Sequence, residues 1–266
     1  MLSKQQGAAQ SWRQALASYR DIRLLFIFFM GCASGFPWVL IGSNMSGWLN
    51  DAGLSRAAIG YFGSVFVVYA LNFLWAPLVD RMPLPWLTRV MGQRRSWLLL
   101  AQLGVVAALL GMAGVDPAEG GTSLAWMAAL AVLLGFSSAT QDVVIDAYRI
   151  ELAPPDLQAL LSSAYIAGYR VGMIAAGAGA LYLASYWGSA KDAYVYSAWQ
   201  QTYTVMAGAM GLGIAQVFAQ AGHMGGVGGD AELIRAQDVG VDAFGPGHAD
   251  HLFDRGFQGG GHVEHG

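Results

Sequence analysis

Long stretches of this 266-residue chain contain no charged side chain. Charge is absent from the intervals 24–50, 57–79, 96–115, 120–141 and 193–229, and the interval 157–190 holds only Arg170. An ionised side chain at the centre of a membrane helix costs about 2.5–3.5 kcal/mol, and about 20 apolar residues cross a bilayer as a helix. The intervals therefore predict an all-α membrane protein with six transmembrane helices, numbered here as spans one to six in chain order.

The composition excludes several other classes of protein. Hydrophobic residues make up 55% of the chain and charged residues only 12%, whereas soluble domains carry about 25% charged residues. A net charge of −3 with 14 Lys and Arg leaves no basic face for nucleic acid. Cys32 is the single cysteine, and no histidine precedes His223, so a cysteine zinc site and a zinc-protease helix are excluded. We therefore expect no catalytic site, no metal and no cofactor.

Positive charges are divided unequally between the loops that join the spans. Placing the amino terminus in the cytoplasm leaves only Arg56 and Lys191 in the outer loops. The inner side then holds nine positive residues: Lys4, Arg13, Arg20, Arg23, Arg81, Arg89, Arg94, Arg95 and Arg149. Because Lys and Arg concentrate in cytoplasmic loops, we expect residues 1–20 to form a cytoplasmic segment and residues 21–218 to form the six-helix unit.

The composition changes after about residue 215. Residues 216–266 contain thirteen glycines and all five histidines, but no tryptophan or tyrosine. Such a composition is typical of disorder, so we expect residues 219–266 to form a disordered tail. Because the change falls inside span six, we further expect the tail to come from a shifted reading frame and the membrane unit to be truncated.

Acidic residues lie near the inner end of span four, although an ionisable side chain within a membrane is costly and usually has a function. Asp142 and Asp146 share one helical face beside Gln141, and Arg149 can reach Asp146 three residues away. At about 1.5 Å per residue, Asp142 lies roughly 27 Å along the helix and still within the bilayer. The cluster is either part of a substrate or proton path, or an interfacial salt-bridge cluster that only ties helix ends together.

Arg170 in span five is a second charge within the bilayer. It lies roughly 22 Å along its helix, close to the membrane midplane, with Tyr165 and Tyr169 on one face beside it. We expect Arg170 to face the protein interior and to line a path for substrate or ions. Close helix packing is predicted by a stripe of small residues on this span: Gly168, Gly172, Ala175 and Gly179.

A third polar set lies at the inner ends of spans two and three. Asp80 and Arg81 end span two, and Arg94 and Arg95 begin span three. An acidic residue among arginines in a short loop is typical of a gate. In such a gate, basic residues form ion pairs with acidic partners and so hold the domains in one of two positions. Arg149 is a further basic residue of this predicted gate. The alternative is that the arginines only fix the topology.

Six segments of the chain resemble one family of transporters. They are MGCASGFP from Met30, GLSRAAIGYF from Gly53, FLWAPLVDR from Phe73, RRSWLLLAQ from Arg94, SSATQDVVIDAYRIE from Ser137 and AYIAGYRVGM from Ala164. These ordered segments are similar to AmpG-type anhydromuropeptide permeases over roughly residues 10–215. The resemblance implies half of a major facilitator fold in the bacterial inner membrane. It also implies import of GlcNAc-anhydroMurNAc peptides by proton symport, which serves peptidoglycan recycling and thereby controls β-lactamase induction.

The resemblance also assigns residues. By this resemblance, Asp80 and Arg81 correspond to the family's loop after span two. The polar face of span four corresponds to Gln141, Asp142 and Asp146. A pair on span five corresponds to Tyr169 and Arg170. Asp142 is then the expected proton carrier, with Arg170 and Tyr169 beside it in the cavity.

The chain departs from the family in two ways. Asn72, a residue of the candidate proton path, stands where the family usually has a lysine. Such permeases have about a dozen spans in two halves with the substrate path between them, whereas this chain shows one half. We therefore expect it to be inactive alone and to need a second half or a homodimer partner. The alternatives are a related acyl-CoA or peptide carrier, and a non-transporting six-helix membrane fragment.

Overall fold

The computed structural model describes residues 22–152, 155–190 and 193–225. This part of the chain is helical, and its only β-type pairing is an isolated bridge between Ala190 and Ala193. The α-helices, numbered in chain order, are α1 Ile22–Val39, α2 Met45–Asp51, α3 Arg56–Phe62, α4 Val67–Ala70, α5 Ala76–Arg81, α6 Leu87–Met91, α7 Gln93–Ala113, α8 Gly121–Leu152, α9 Pro155–Tyr186 and α10 Tyr196–Gly225. The all-α prediction is confirmed for the described residues.

Five helical segments of the described chain are long and apolar enough to cross a membrane. They are Arg23–Asp51, Arg56–Leu74, Gln93–Ala113, Gly121–Glu151 and Leu157–Tyr186. These segments coincide with predicted spans one to five. Predicted span six corresponds to α10, a 30-residue helix that is not among the five.

The first two spans contain irregular turns. Span one passes from α1 through a π-helical turn, Leu40–Asn44, into α2. Pro37 lies just before this turn, inside α1, and lacks the amide hydrogen of a regular helical bond. In span two, 3₁₀ turns at Gly63–Phe66 and Asn72–Leu74 interrupt the helix, so Asn72 lies in a turn.

Helices α1 and α9 pack backbone against backbone. Gly31 and Gly35 of α1 lie against the backbone of α9, and Gly168 and Gly172 of α9 lie against the backbone of α1. A Cβ atom at Gly168 would collide with the carbonyl oxygen of Phe28. Small residues permit such close approach in membrane helices, so the predicted packing role of Gly168 and Gly172 is confirmed.

The remaining spans surround a core of apolar side chains. Helix α7 packs against α8, and its Gly104 faces Ser137. The largest fully buried side chains of the principal core cluster include Trp48, near the carboxyl end of span one, and Trp199 and Tyr203, near the amino end of α10. The packing of these spans fixes the relative positions of α1, α8 and α9, which carry the site described below.

The chain divides into two compact units, Met1–Phe218 and Ala219–Gly266. Helix α10 continues to Gly225, beyond the boundary that we placed at residue 218. The predicted cytoplasmic segment 1–20 and the rest of the predicted tail lie outside the described residues. Their expected properties stay predictions.

Candidate functional site

Asp142 lies where three helices meet. The Ser34 hydroxyl on α1 donates a hydrogen bond to Oδ1 of Asp142 on α8. The Ser34 oxygen also lies 2.8 Å from the Tyr165 hydroxyl on α9. Because the single hydroxyl hydrogen of Ser34 is directed to the carboxylate, Tyr165 is the donor in the second bond. Ser34 is buried and Asp142 only partly exposed, so the carboxylate is bonded into a contact between spans one, four and five.

Aromatic side chains lie close to this hydrogen-bonded chain. Trp38 follows the serine by one turn on the same face of α1, and its ring centroid lies 4.6 Å from that of Phe66 and 4.8 Å from that of Tyr69. The rings of Tyr165 and Tyr169 are 6.3 Å apart. Apolar and aromatic surfaces with a few placed polar groups are typical of small-molecule sites.

Gln141, adjacent to the carboxylate, is fully buried. Neither its amide oxygen nor its amide nitrogen has a hydrogen-bond partner within the described part of the chain. The next residue back, Thr140, accepts a hydrogen bond of 3.1 Å from the indole of Trp75. A buried amide without a partner is costly and needs an explanation, which supports a role for Gln141 beyond packing.

Arg149 connects α8 to α9. Its Nη1 donates to the hydroxyl of Ser162 at 2.9 Å, and its Nη2 donates to Oδ1 of Asp146 at 3.1 Å. Its guanidinium carbon lies 5.5 Å from the centre of the Tyr165 ring, within the range of a cation–π contact. The predicted Asp146–Arg149 ion pair is therefore confirmed, and Tyr165 connects it to the bonds around Asp142.

Arg94 forms an ion-pair cluster where the carboxyl ends of α5 and α8 adjoin the amino end of α7. Its Nη1 lies 2.5 Å from Oδ1 of Asp80, and its Nη2 lies 2.7 Å from Oε1 of Glu151. Gln93 donates to the backbone carbonyl of Asp80 at 2.5 Å, which holds the end of α5 against the start of α7. The structure thus brings together Asp80 and Arg94 of the predicted gate and adds Glu151.

The other predicted residues lie apart from both clusters. Arg170 is on the exposed side of α9 and forms no ion pair within the described chain. The reason is geometric, because α9 turns its glycine face towards α1 and leaves its opposite face uncovered. Asn72 and Arg95 are partly exposed and Arg81 is exposed.

Sequence reasoning missed Ser34 and Trp75, and it did not pair Glu151 with Arg94. In the sequence, Ser34 stands out only as a lone hydroxyl residue in an apolar stretch beside glycines. Close helix packing explains a small residue at that position equally well. The signal for Glu151 was an acidic residue beyond the end of span four. Its pairing with Arg94, 57 residues earlier, depends on how α7 and α8 pack and could not be read from local spacing.

The fold and the site define a class of protein. Bundles of membrane-length helices in which an intramembrane carboxylate is bonded between spans are typical of secondary transporters. The chain belongs to the Major Facilitator Superfamily, whose sequence model matches residues 27–222. It is therefore a multi-pass membrane protein of a transporter family.

Curated relatives narrow the similarity to one group. The chain is 39% identical over 189 residues to the putative transporter AmpG 4 of Rickettsia felis, an alignment that covers 71% of this chain and 43% of the relative. It is 35% identical over 194 residues to the anhydromuropeptide permease of Escherichia coli K12, covering 73% of this chain and 36% of the relative. The chain thus spans less than half the length of these relatives, and the family resemblance read from the sequence is confirmed.

Proposed function

We propose that this chain supplies the amino-terminal half of an inner-membrane permease that imports anhydromuropeptides together with protons. The observation that carries the proposal is the bonding of Asp142 through Ser34 to Tyr165, which joins spans four, one and five. The similarity to an anhydromuropeptide permease supports the substrate class. The positive residues of the predicted inner loops support a cytoplasmic amino terminus.

Asp142 is the proton carrier in this proposal. When Asp142 is ionised, it accepts the Ser34 hydrogen, and Ser34 accepts from Tyr165. After Asp142 takes up a proton, its own hydroxyl can donate to Ser34, and the Ser34 hydrogen then turns to the Tyr165 oxygen. One protonation thereby reverses both hydrogen bonds and reaches α9. A proton moving down 100 mV releases about 2.3 kcal/mol, which is enough to bias a two-state transporter.

The second end of this relay is Arg149. The Arg149 guanidinium lies over the Tyr165 ring, and Arg149 also donates hydrogen bonds to Ser162 and Asp146. A change in the hydrogen bonding of Tyr165 therefore acts on a group that ties α8 to α9 near their inner ends. The Arg94 cluster with Asp80 and Glu151 acts as the inner gate, because it closes the ends of α5, α7 and α8 by ion pairs that can re-form.

The substrate contacts the exposed side of α9 and the aromatic surface near Ser34. A muropeptide carries carboxylates as well as sugar rings, so it offers partners for a cation and for aromatic faces. Arg170 supplies an exposed guanidinium, and Tyr169 lies one residue away with its ring partly exposed. Trp38, Phe66 and Tyr69 supply the aromatic surface.

Transport requires a second half in this proposal. Arg170 lies within a predicted span and is exposed on the described unit, where lipid would leave its charge without a partner. A second six-helix half, or a second copy of this chain, would cover that face. We therefore expect purified chain in liposomes to take up no anhydromuropeptide. Uptake by the isolated chain would contradict this part of the proposal and make the chain a complete transporter.

The substrate class is tested with a chimera. Residues 1–215 are joined to the carboxyl-terminal half of the E. coli permease and expressed in cells that lack their own permease. We expect uptake of labelled anhydromuropeptide that excess unlabelled muropeptide abolishes and that acyl-CoA or plain peptide leaves unchanged. Competition by acyl-CoA or by peptide alone would favour the related carriers instead. Arg170→Gln should weaken muropeptide uptake, and Arg56→Gln in an opposite loop is the matched control.

A further inference from the structure

The segment between α5 and α7, residues 82–92, contains a strained turn. Trp86 has φ 70° and ψ −53°, and no other non-glycine residue of the described chain has a positive φ. The Leu87 amide donates to the Pro85 carbonyl at 2.9 Å, which closes a three-residue γ-turn of the rare, strained form around Trp86. Strain in a bulky residue persists only where its surroundings impose it, and it often marks a functional position.

Neighbouring hydrogen bonds hold this turn in place. The Leu84 amide donates to the Thr88 hydroxyl at 2.8 Å, and the Thr88 amide donates to the Leu84 carbonyl at 3.1 Å. These bonds fix the backbone on both sides of Trp86, yet they leave its side chain largely exposed. The indole is 82% exposed, and Val90, one helical turn further along α6, is 84% exposed. The turn therefore directs two large apolar side chains away from the protein.

The segment lies at the depth of a membrane boundary. The indole of Trp97, near the start of α7, donates to the Met82 carbonyl at 2.9 Å. The side chain of Gln93, the first residue of α7, donates to the carbonyls of Val79 and Asp80. Since α7 is a membrane-length helix from its first residue, these bonds place the segment beside the end of a span, where tryptophan is favoured in membrane proteins.

Two exposed arginines lie close to these apolar side chains in the chain. Arg81 and Arg89 are exposed, and neither forms an ion pair within the described residues. Arg94 differs because Asp80 and Glu151 already occupy its guanidinium. Arginines beside the end of a membrane helix attract the phosphate groups of anionic lipids. The charge of this surface thus complements an anionic headgroup layer, while its apolar side chains suit the boundary below it.

We propose that residues 82–92, together with Arg81, form a binding surface for anionic phospholipid. Trp86 and Val90 enter the boundary between headgroups and acyl chains, and Arg81 and Arg89 contact headgroup phosphates. The surface would hold the loop beside the Arg94 cluster at a fixed depth. The proposal does not depend on the transported substrate or on which residue carries the proton.

The depth of Trp86 is tested by quenching with brominated lipids. The purified chain is placed in nanodiscs of phosphatidylcholine and phosphatidylglycerol, and the Trp86 signal is the difference between wild type and Trp86→Phe. We expect bromine near the headgroups to quench this signal more than bromine near the acyl ends, and aqueous iodide to leave it unchanged. Trp126→Phe, which removes another exposed indole (62% exposed) from α8, is the matched control. Quenching by iodide alone, or by neither reagent because protein covers the indole, would overturn the proposal.

The charge contribution is tested by measuring retained lipid. Native mass spectrometry of the chain should show that Arg81→Gln and Arg89→Gln each weaken phosphatidylglycerol binding about fivefold. Phosphatidylcholine binding should stay unchanged in both variants. Arg56→Gln, an exposed arginine in the opposite loop, should change neither. Equal losses for both lipids, or a loss no larger than in Arg56→Gln, would overturn the role of the arginines.

Trp86→Gly separates lipid binding from folding. Glycine adopts a φ near 70° without strain, so this variant should unfold at a higher temperature than wild type while retaining less phosphatidylglycerol in native mass spectrometry. A lower unfolding temperature would mean that Trp86 stabilises the protein itself, and would contradict the proposal.

Discussion

A methyl group at Gly168 should force α1 and α9 apart. The Cβ of an alanine at this position would overlap the carbonyl oxygen of Phe28 and lie 3.1 Å from the amide nitrogen of Cys32. Both are backbone atoms, so no side-chain rotation can relieve the overlap. Overpacking of a tight contact costs about 1–3 kcal/mol, and a loss of about 2 kcal/mol in a unit of this size lowers Tm by roughly 4–8 °C.

The Tm of Gly168→Ala is measured by thermal unfolding of the purified chain in detergent. Gly208→Ala is the matched control, because no atom lies within 4 Å of a Cβ built at Gly208 on α10. Alanine is favoured over glycine in a helix by about 0.5–1 kcal/mol, so the control should unfold at or above the wild-type temperature. If Gly168→Ala unfolds as late as the control, α1 and α9 do not pack backbone to backbone and the reasoning is refuted.

Three further predictions concern the charged and hydrogen-bonded clusters. Arg94→Gln should destabilise the chain by about 1 kcal/mol, since partly exposed ion pairs contribute about 0.2–1 kcal/mol each. Salt at 1 M should remove most of the difference in Tm between wild type and Arg94→Gln. An equal difference at low and high salt would contradict this prediction. Burial, with the hydrogen bond that Tyr194 donates to Asp116 at 2.7 Å, raises the pKa of the Tyr194 phenol above its usual value near 10. The stabilising contribution of the protonated Tyr194 phenol is therefore complete below pH 10 and is lost as pH rises through the folded-state pKa. Tm should then fall less steeply above pH 10 in Tyr194→Phe than in wild type. Equal slopes in the two proteins would contradict this prediction. Trp199→Phe should lower Tm, because the Trp199 indole donates to Asp51 at 3.2 Å and its ring stacks on Trp48 at 5.7 Å; an unchanged Tm would show that neither contact stabilises the chain.

The helical architecture could be read from charge spacing because the bilayer imposes one physical rule. A membrane span excludes ionised groups and needs about 20 residues, so gaps between charges locate helices without any knowledge of packing. The ends of α7 at Gln93 and Ala113 follow this rule closely. The interruptions within span two were not predicted, because 3₁₀ turns such as Asn72–Leu74 leave the hydropathy unchanged.

The site was only partly readable for a similar reason. Asp146 and Arg149 are three residues apart on one helix, so local geometry predicts their ion pair. The bond between Ser34 and Asp142 joins positions 108 residues apart and depends on which faces of α1 and α8 meet. Arg170 shows the limit of an argument from depth alone, because depth does not determine which face of α9 is covered.

Asp142 is the residue on which proton coupling depends in the proposed mechanism. In the chimera with the second permease half, Asp142→Asn removes the titrating group but keeps a hydrogen-bonding side chain of similar size. Ser163→Ala is the control, because its hydroxyl is exposed and, within the described part of the chain, bonds only to the Ala159 carbonyl on its own helix. We predict that Asp142→Asn abolishes accumulation of anhydromuropeptide driven by a pH gradient but retains exchange of labelled for unlabelled substrate, and that Ser163→Ala retains both. Gradient-driven accumulation at the wild-type level in Asp142→Asn would contradict the account.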